Sequence, residues 1–179
     1  MIPVNVDKIS YHPSSRSYAV LLKEQNSEKV LPILVGSFEA QSIALALEVV
    51  ETPRPLTHDL ICEMIKKIDA KLVSVGISKL NDGVFYAKLK IKGLKFGTKQ
   101  IDSRPSDAIS IALRLNAQIY VSQDIINEAS VEQKDISQET STTPKHLIKD
   151  LELKLKKAVE KEEYEEAAKI RDKLKELDS

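Results

Sequence analysis

The stretch DSRPSDAISIALRLN, residues 102–116, joins a polar opening to an apolar helical pattern. Charged and hydroxyl side chains crowd its first six positions, and the following residues are mostly apolar for the length of a helix. Pro105 is typical of a first helical turn, where its missing N–H costs nothing. The pattern predicts a buried helix over about 104–115 that gathers polar groups at its amino end.

Two interpretations explain this polar opening. Ser106 and Asp107 can cap free N–H groups of the helix while Arg104 pairs with a neighbouring acid, and no ligand is then required. Alternatively, Arg104 and the helix amino end bind a phosphate while Asp102 and Asp107 hold a metal ion or position water. The residues alone leave both interpretations open.

A second helix start, TPRPLTHDL at residues 52–60, has a similar composition. Thr57 is expected to be the N-cap of a helix that runs to about Asp69, with Asp59 in its first turn. His58 beside Asp59 is a candidate general base or metal ligand, although a capped helix with an exposed histidine explains the same residues. If the two helix starts face each other, they line one polar cleft with Arg54, His58, Asp59, Arg104 and Asp107.

Alternating and apolar segments elsewhere predict strands and two further helices. Strands are expected at 2–11, 17–24, 29–36, 71–80, 84–93 and 118–122. Residues 37–50 predict a helix buried on several sides, with Ser37 as N-cap and Glu39 in its first turn, and a short helix is expected near 123–129. Because several links are too short for parallel crossovers, we expect an α+β fold with a mixed, largely antiparallel sheet and buried helices.

The tetrapeptide Ser-Ile-Ala-Leu occurs twice, at residues 42–45 and 110–113. Both copies fall inside predicted buried helices. Because small apolar residues recur by chance in such helices, we interpret the repeat as a coincidence.

Lysines alternate along the second strand of a hairpin that turns at Asn81-Asp82-Gly83. One basic face is expected to carry Tyr86, Lys88, Lys90 and Lys92, continued by Lys95 and Lys99. Such a face can meet a phosphate backbone. A solvated sheet face or a protected sheet edge is the alternative that physical considerations favour.

The composition changes towards the end of the chain. A domain is expected at 1–129, followed by a flexible polar linker at 130–143. Apolar residues at helical spacing in two segments of 144–179 predict an α-helical hairpin. Each helix has one narrow apolar stripe, so the hairpin is expected to pair with its own copy or with another protein.

The overall charge and the cysteine content bound the class of protein. The formal net charge is zero, with 27 Lys and Arg against 27 Asp and Glu, so binding to nucleic acid is expected to rely on a local patch. The one cysteine, Cys62, excludes an internal disulfide and lies in an apolar pattern typical of a buried structural thiol. Without a signal-peptide pattern or a long apolar run, the chain is expected in the cytoplasm and away from membranes.

The sequence lacks several motifs of familiar chemistry. It has no Walker loop, no Gly-x-Gly-x-x-Gly, no paired-cysteine zinc pattern and no Gly-x-Ser-x-Gly nucleophile elbow. Nucleotide-driven and covalent-serine mechanisms therefore receive no support from the sequence.

Three blocks of the chain, LPILVGSFEAQSIALALE, TPRPLTHDL and SRPSDAISIALRLNAQIYVS, resemble the signature blocks of the bifunctional nuclease (BFN) domain. They occur in the family's order, and the resemblance covers roughly residues 1–130. The tail LKKAVEKEEYEEAAKIRDKLKEL, residues 155–177, resembles the UVR motif of the excinuclease B and C subunits, a helical hairpin that pairs with another copy of itself.

These resemblances imply a nuclease that hydrolyses phosphodiester bonds in DNA and RNA. The UVR resemblance implies association with UVR-containing proteins or with a second copy, and the BFN resemblance implies a homo-oligomer. The rival is a non-enzymatic adaptor, in which the polar clusters are caps and salt bridges and the UVR hairpin carries the function. The neutral charge and the missing metal signature favour this rival.

The BFN resemblance also carries site roles onto the matching blocks. It implies His58 as the acid–base residue, and Asp59 and Asp107 as ligands of a Mg²⁺ or Mn²⁺ ion or as water-positioning groups. Arg54 and Arg104 would clamp phosphate. The carried-over set is completed by Glu39 among the catalytic residues and by Thr57 and Ser106 among the phosphate-binding residues.

Overall fold

The computed structural model describes residues 1–12, 16–24 and 27–132, so most of the predicted linker and the whole predicted hairpin lie outside the described residues. The strands are β1 (Ile2–His12), β2 (Ser17–Glu24), β3 (Lys29–Val35), β4 (Ala70–Asn81), β5 (Val84–Gly93), β6 (Gly97–Ser103), β7 (Gln118–Val121) and β8 (Val131–Glu132). The helices are α1 (Ser37–Leu47), α2 (Thr57–Lys67), α3 (Pro105–Arg114) and α4 (Gln123–Ala129).

The strands form a single sheet in the order β6-β5-β4-β7-β1-β2-β3-β8. The β4–β7 pair is parallel, and the other pairs among the described strands are antiparallel. The predicted α+β class with a mixed, largely antiparallel sheet is therefore confirmed. Among the described residues, no helix is long and apolar enough to cross a bilayer.

Helix α3 is the centre of the core, as its apolar sequence predicts. Ala108, Ile109 and Ser110 are fully buried, and Pro105 occupies the first turn after the N-cap Arg104. The helix packs against α1, α2 and several strands. Cys62 of α2 is a buried free thiol, also as expected.

Helix α1 is less buried than predicted. It buries Ala40 and Ile43, whereas Phe38 is 84% exposed. The sequence is apolar on nearly every face, but α1 packs mainly against α3 and β2, so part of its apolar surface stays uncovered.

Both predicted N-caps are displaced by one residue. Gly36, not Ser37, caps α1, and Leu56, not Thr57, caps α2. In α2 the Asp59 carboxylate accepts a hydrogen bond from the Leu56 backbone N–H at 2.9 Å, which satisfies an amide before the first turn. A first-turn acid can thus supply a cap that the N-cap side chain cannot.

The predicted hairpin of β4 and β5 is confirmed. Asp82 and Gly83 both have positive φ angles, as a two-residue type I′ turn requires. In β5 the buried Ala87, Leu89 and Ile91 alternate with exposed lysines.

Two strands were not predicted. β6 is almost entirely exposed and polar, so it lacks the alternation that marks a strand. Its register places Lys99 opposite Ile91, on the helix-covered side of the sheet, so the expectation that Lys99 continues the basic face is wrong. β8 pairs with Lys29 and Val30 of β3, so the sheet extends through Glu132, beyond residue 129.

Candidate functional site

A groove of about 840 Å³ opens between α1, α2, the end of β6 and the start of α3. Apolar side chains of α2, α3, β5 and β6 line it. Its polar lining includes Glu39, Ser42, Thr57, His58, Arg104 and Asp107. We call this cavity the His58 groove.

His58 is held at both ring nitrogens. Nε2 lies 3.2 Å from Oδ1 of Asp107, and Nδ1 lies 2.9 Å from Oγ of Ser42. The ring is 15% exposed. An ionised carboxylate only accepts hydrogen bonds, so Nε2–H donates to Asp107, and in the neutral ring Nδ1 accepts the hydroxyl proton of Ser42. The starts of α2 and α3 thus meet at His58 and Asp107.

Arg104 connects the carboxylates on either side of the groove. Its Nε donates to Oδ2 of Asp107 at 2.8 Å and its Nη2 donates to Oδ1 at 3.1 Å, a bidentate pair within the first turn of α3. Nη1 donates to Oε1 of Glu39 on α1 at 3.1 Å. The guanidinium side chain is 66% exposed, so it remains accessible to a ligand.

The charge state of Asp107 follows from these contacts. Burial raises the pKa of its carboxyl, but the hydrogen bonds from Arg104 and His58 outweigh burial and hold the pKa below its ordinary value. Asp107 is therefore ionised at neutral pH. It can orient the His58 ring and stabilise a positive charge on it.

Ser42 is a further site residue that was not among the predicted ones. The Ser110 hydroxyl donates to Oγ of Ser42 at 3.3 Å, so a chain of hydrogen bonds runs from Ser110 through Ser42 and His58 to Asp107. These two serines are the first residues of the two Ser-Ile-Ala-Leu segments. The repeat interpreted as a coincidence thus supplies both hydroxyls at the contact between α1 and α3. It was the sequence feature from which Ser42 could have been predicted.

Asp59 lies apart from this cluster. Its Oδ1 accepts a 2.6 Å hydrogen bond from Nε of Arg114, at the carboxyl end of α3. Nη1 of Arg114 also donates to the backbone carbonyls of Ser42 and Ser110, at 3.1 Å each. Burial raises the pKa of Asp59, but the Arg114 and Leu56 hydrogen bonds outweigh it and keep the pKa below its ordinary value. Asp59 and Asp107 therefore do not share a site.

The other residues proposed for phosphate binding are dispersed. Thr57 lines the His58 groove, and Arg54 lies exposed in the loop before α2, outside the groove lining. Ser106 is buried and also lies outside the lining. The structure therefore brings together His58, Arg104 and Asp107 from the predicted polar cleft, joined by Glu39, and leaves Arg54 and Asp59 outside.

Comparison with known sequences identifies the fold's family. The bifunctional nuclease domain family matches residues 20–134, well over half of the chain. This chain belongs to the bifunctional nuclease domain family. Residues 145–179 separately match the UvrB/uvrC motif.

Relatives of this bifunctional nuclease domain occur in bacteria and plants. An uncharacterized protein of Mycobacterium tuberculosis (strain ATCC 25618 / H37Rv) is 42% identical over 125 residues, which cover 69% of this chain and 73% of that protein. Bifunctional nuclease 1 of Oryza sativa subsp. japonica is 30% identical over 115 residues, which cover 63% of this chain and 35% of that protein. Bifunctional nuclease 2 of Arabidopsis thaliana is 27% identical over 187 residues, which cover 92% of this chain and 56% of that protein.

The arrangement of carboxylates and histidines in the bifunctional nuclease domain decides whether it can hold a divalent metal. In the described ranges, no three His, Cys, Asp or Glu side chains lie together in a group able to hold an ion. The groove acids Glu39 and Asp107 are both bound to Arg104, and Asp59 is bound to Arg114. Hard divalent cations prefer several free oxygen ligands, so these residues as arranged do not fit Mg²⁺ or Mn²⁺.

Proposed function

We propose that this chain hydrolyses phosphodiester bonds of DNA or RNA in the His58 groove. One observation carries the proposal: a histidine fixed between a serine and an ionised aspartate lines the same groove as an exposed arginine. Proton transfer and phosphate binding are the two functions that such hydrolysis requires of a protein. Membership of the bifunctional nuclease domain family and the names of the plant relatives support the same reaction.

Arg104 is the proposed phosphate-binding residue. Two of its nitrogens bind Asp107, and the third, Nη1, binds Glu39. A non-bridging phosphate oxygen can replace Glu39 at Nη1, since guanidinium groups bind phosphate and carboxylate oxygens in the same geometry. Glu39 then acts as a competitor that holds Arg104 in position between substrates.

His58 is the proposed acid–base residue, and Ser42 connects it to the groove. Because Nε2–H is bound to Asp107, a proton that His58 takes up must enter at Nδ1, where the Ser42 hydroxyl lies. We propose that Ser42 passes a proton from the attacking water to His58 and returns one to the leaving oxygen. Asp107 stabilises the imidazolium formed between these two steps.

A matched pair of double variants tests this function. Arg104→Ala/Asp107→Ala removes an i,i+3 ion pair inside the groove, whereas Glu63→Ala/Lys66→Ala removes an i,i+3 ion pair on the exposed surface of α2. Both proteins and the wild-type chain are assayed on single-stranded and duplex substrates with Mg²⁺, Mn²⁺ or EDTA.

We expect cleavage by the wild-type chain and by the Glu63/Lys66 variant, and none by the Arg104/Asp107 variant. A contaminating nuclease would not respond to either substitution. Equal cleavage by all three proteins, or no cleavage by the wild-type chain under any condition, would contradict the proposal and favour the adaptor.

We further propose that the UVR segment associates with a second copy of this chain or with another UVR-containing protein. The match of residues 145–179 to the UvrB/uvrC motif supports this association. The cytoplasm is the proposed compartment, because a single buried free thiol suits a reducing environment.

A further inference from the structure

The side of the sheet opposite the helices carries an array of lysines. On β5, Lys88, Lys90 and Lys92 alternate with the buried residues that face the core. Register adds Lys71 opposite Lys92 and Lys79 opposite Tyr86 on β4. We call these five lysines the outer basic face.

These lysines have few opposite charges nearby. Among the described residues, none of the five forms an ion pair, and the Lys79 ammonium lies 5.6 Å from the centroid of the Tyr86 ring. The one acid that β4–β6 place in register with them is Asp102, opposite Lys88. In a chain with a formal net charge of zero, this is a local concentration of positive charge.

The spacing of the array suits a polyanion in extended form. Residues i and i+2 of a strand are roughly 6.8 Å apart, so β5 presents three ammonium groups in a line at that interval. Successive phosphates of an extended single strand are separated by about the same distance, and grooves for single strands commonly follow the backbone with basic side chains.

A hollow of about 410 Å³ lies beside this line. Gly76 contributes to it because it has no side chain, and a Cβ placed there would lie 3.1 Å from the Met1 methyl carbon. Met1 and Val75 are the apolar residues of the lining, and its polar and aromatic residues are Ser74, Ser78, Lys88, Lys90, Gln100 and Tyr120. A hollow of this size with an aromatic side chain and hydrogen-bonding groups fits a nucleobase better than a lipid chain.

We propose that the outer basic face binds the sugar–phosphate backbone of single-stranded nucleic acid and places a base in the hollow beside Tyr120. The described part of this face offers a strand surface and no projecting helix that would enter a duplex groove, so a single strand with accessible bases is the better fit. The face lies across the sheet from the His58 groove. Binding there is therefore separable from hydrolysis and goes beyond the proposed function.

Two charge-matched triple variants of the full chain test this inference. Lys88→Gln/Lys90→Gln/Lys92→Gln removes the line on β5, and Lys29→Gln/Lys66→Gln/Lys67→Gln removes the same charge from exposed positions elsewhere. Fluorescence anisotropy in EDTA measures binding of a labelled thymidine 12-mer at several salt concentrations. An abasic strand of equal length, a duplex of equal length and vesicles containing phosphatidylserine serve as further ligands.

We expect the β5 variant to bind the single strand at least about 10-fold more weakly than the wild-type chain, with a salt slope reduced by about 2, and the control variant to bind within about 2-fold of wild type. The abasic strand should bind the wild-type chain several-fold more weakly than the 12-mer. Three results would overturn the inference. The first is an equal loss of single-strand binding in both variants, and the second is tighter binding of the wild-type chain to the duplex than to the single strand. The third is a β5 variant that loses vesicle binding but keeps single-strand binding. Because the assay measures binding alone, an inactive enzyme leaves its outcome unaffected.

Discussion

At the scale of single residues, Arg114 joins three helices at one point. Its side chain is 10% exposed, and it contacts Asp59 of α2 and the carbonyl groups of Ser42 in α1 and Ser110 in α3. Losing one partner of a largely buried ion pair is costly because the other charge stays behind without compensation. These contacts give Asp59 a stabilising role, whereas Asp107 lies in the groove.

The pKa of Asp59 predicts a specific loss of stability in acid. Because the folded-state pKa is below 3.8, the native state binds fewer protons than the unfolded state, and this contribution is complete above about pH 5. It is lost as the pH falls through 3.8 towards the folded-state pKa. We therefore expect Asp59→Asn to be less stable than wild type at pH 7 by about 1–2 kcal/mol, with the difference shrinking towards pH 3.

Urea denaturation of both proteins between pH 3 and pH 7 measures this difference. Glu63→Gln is the control, since Glu63 pairs with Lys66 on the exposed surface of the same helix. A difference between wild type and Asp59→Asn that stays constant across this range would contradict the assignment.

How far the sequence predicts the site depends on the kind of residue. His58, Arg104 and Asp107 lie at helix starts that contain or follow a proline, where clustered polar groups are conspicuous in the sequence. Ser42 and Arg114 lie within regular helical patterns, where a small hydroxyl or a late basic residue is ordinary. Only the packing of α1 against α3 gives these two residues their partners.

At the scale of elements, α3 organises the molecule because its apolar residues meet both the helices and the sheet. Ile109 of α3 is fully buried and belongs to the main core, whereas Phe38 of α1 is 84% exposed. Because α1 is buried on only one of its sides, its apolar composition led to an overestimate of its burial. It also makes the two helices differ in their tolerance of substitution.

Ile109→Ala should lower the free energy of unfolding by about 3 kcal/mol, because it removes a buried side chain and leaves a cavity. Phe38→Ala, which removes a larger side chain, should change it by less than about 0.5 kcal/mol. Chemical denaturation compares the two variants with wild type. Equal destabilisation by both would mean that α1 is buried more deeply than the structure shows.

The sequence predicted the strands that bury one face against the core, and it did not predict the strands that are exposed on both faces. β5 has a strict alternation of core and lysine positions, so its ends and its faces follow from the sequence. β6 exposes most of its residues and depends on its pairing with β5, which local patterns do not encode. The predicted sheet face of Lys99 was wrong for the same reason, since the turn at residues 94–96 sets the register between β5 and β6.

At the scale of the whole molecule, the sheet separates two surfaces of different chemistry. The helices and the His58 groove lie on one side, and the outer basic face lies on the other. The described sheet ends with β8, which pairs with β3, so the structured domain must include Val131 and Glu132. The segment beyond it is the proposed association element.

A chain that ends at Gln133 should therefore keep the folded domain and lose UVR-mediated association. Light scattering after size-exclusion chromatography gives the number of chains per particle for this shortened chain and for the full chain. We expect fewer chains per particle after truncation, with a far-ultraviolet spectrum that still shows a folded α+β domain. The same number in both proteins would show that self-association does not require the UVR segment.

In the proposed reaction, His58 transfers protons during phosphodiester cleavage. The most direct measurement is the single-turnover cleavage rate of a labelled single strand by His58→Gln, at saturating protein and beside wild type. Glutamine keeps hydrogen-bonding groups near Ser42 and Asp107 but cannot take up a proton, so we predict a rate at least about 100-fold lower with a thermal midpoint close to that of wild type. A wild-type rate in a folded His58→Gln protein would contradict the account.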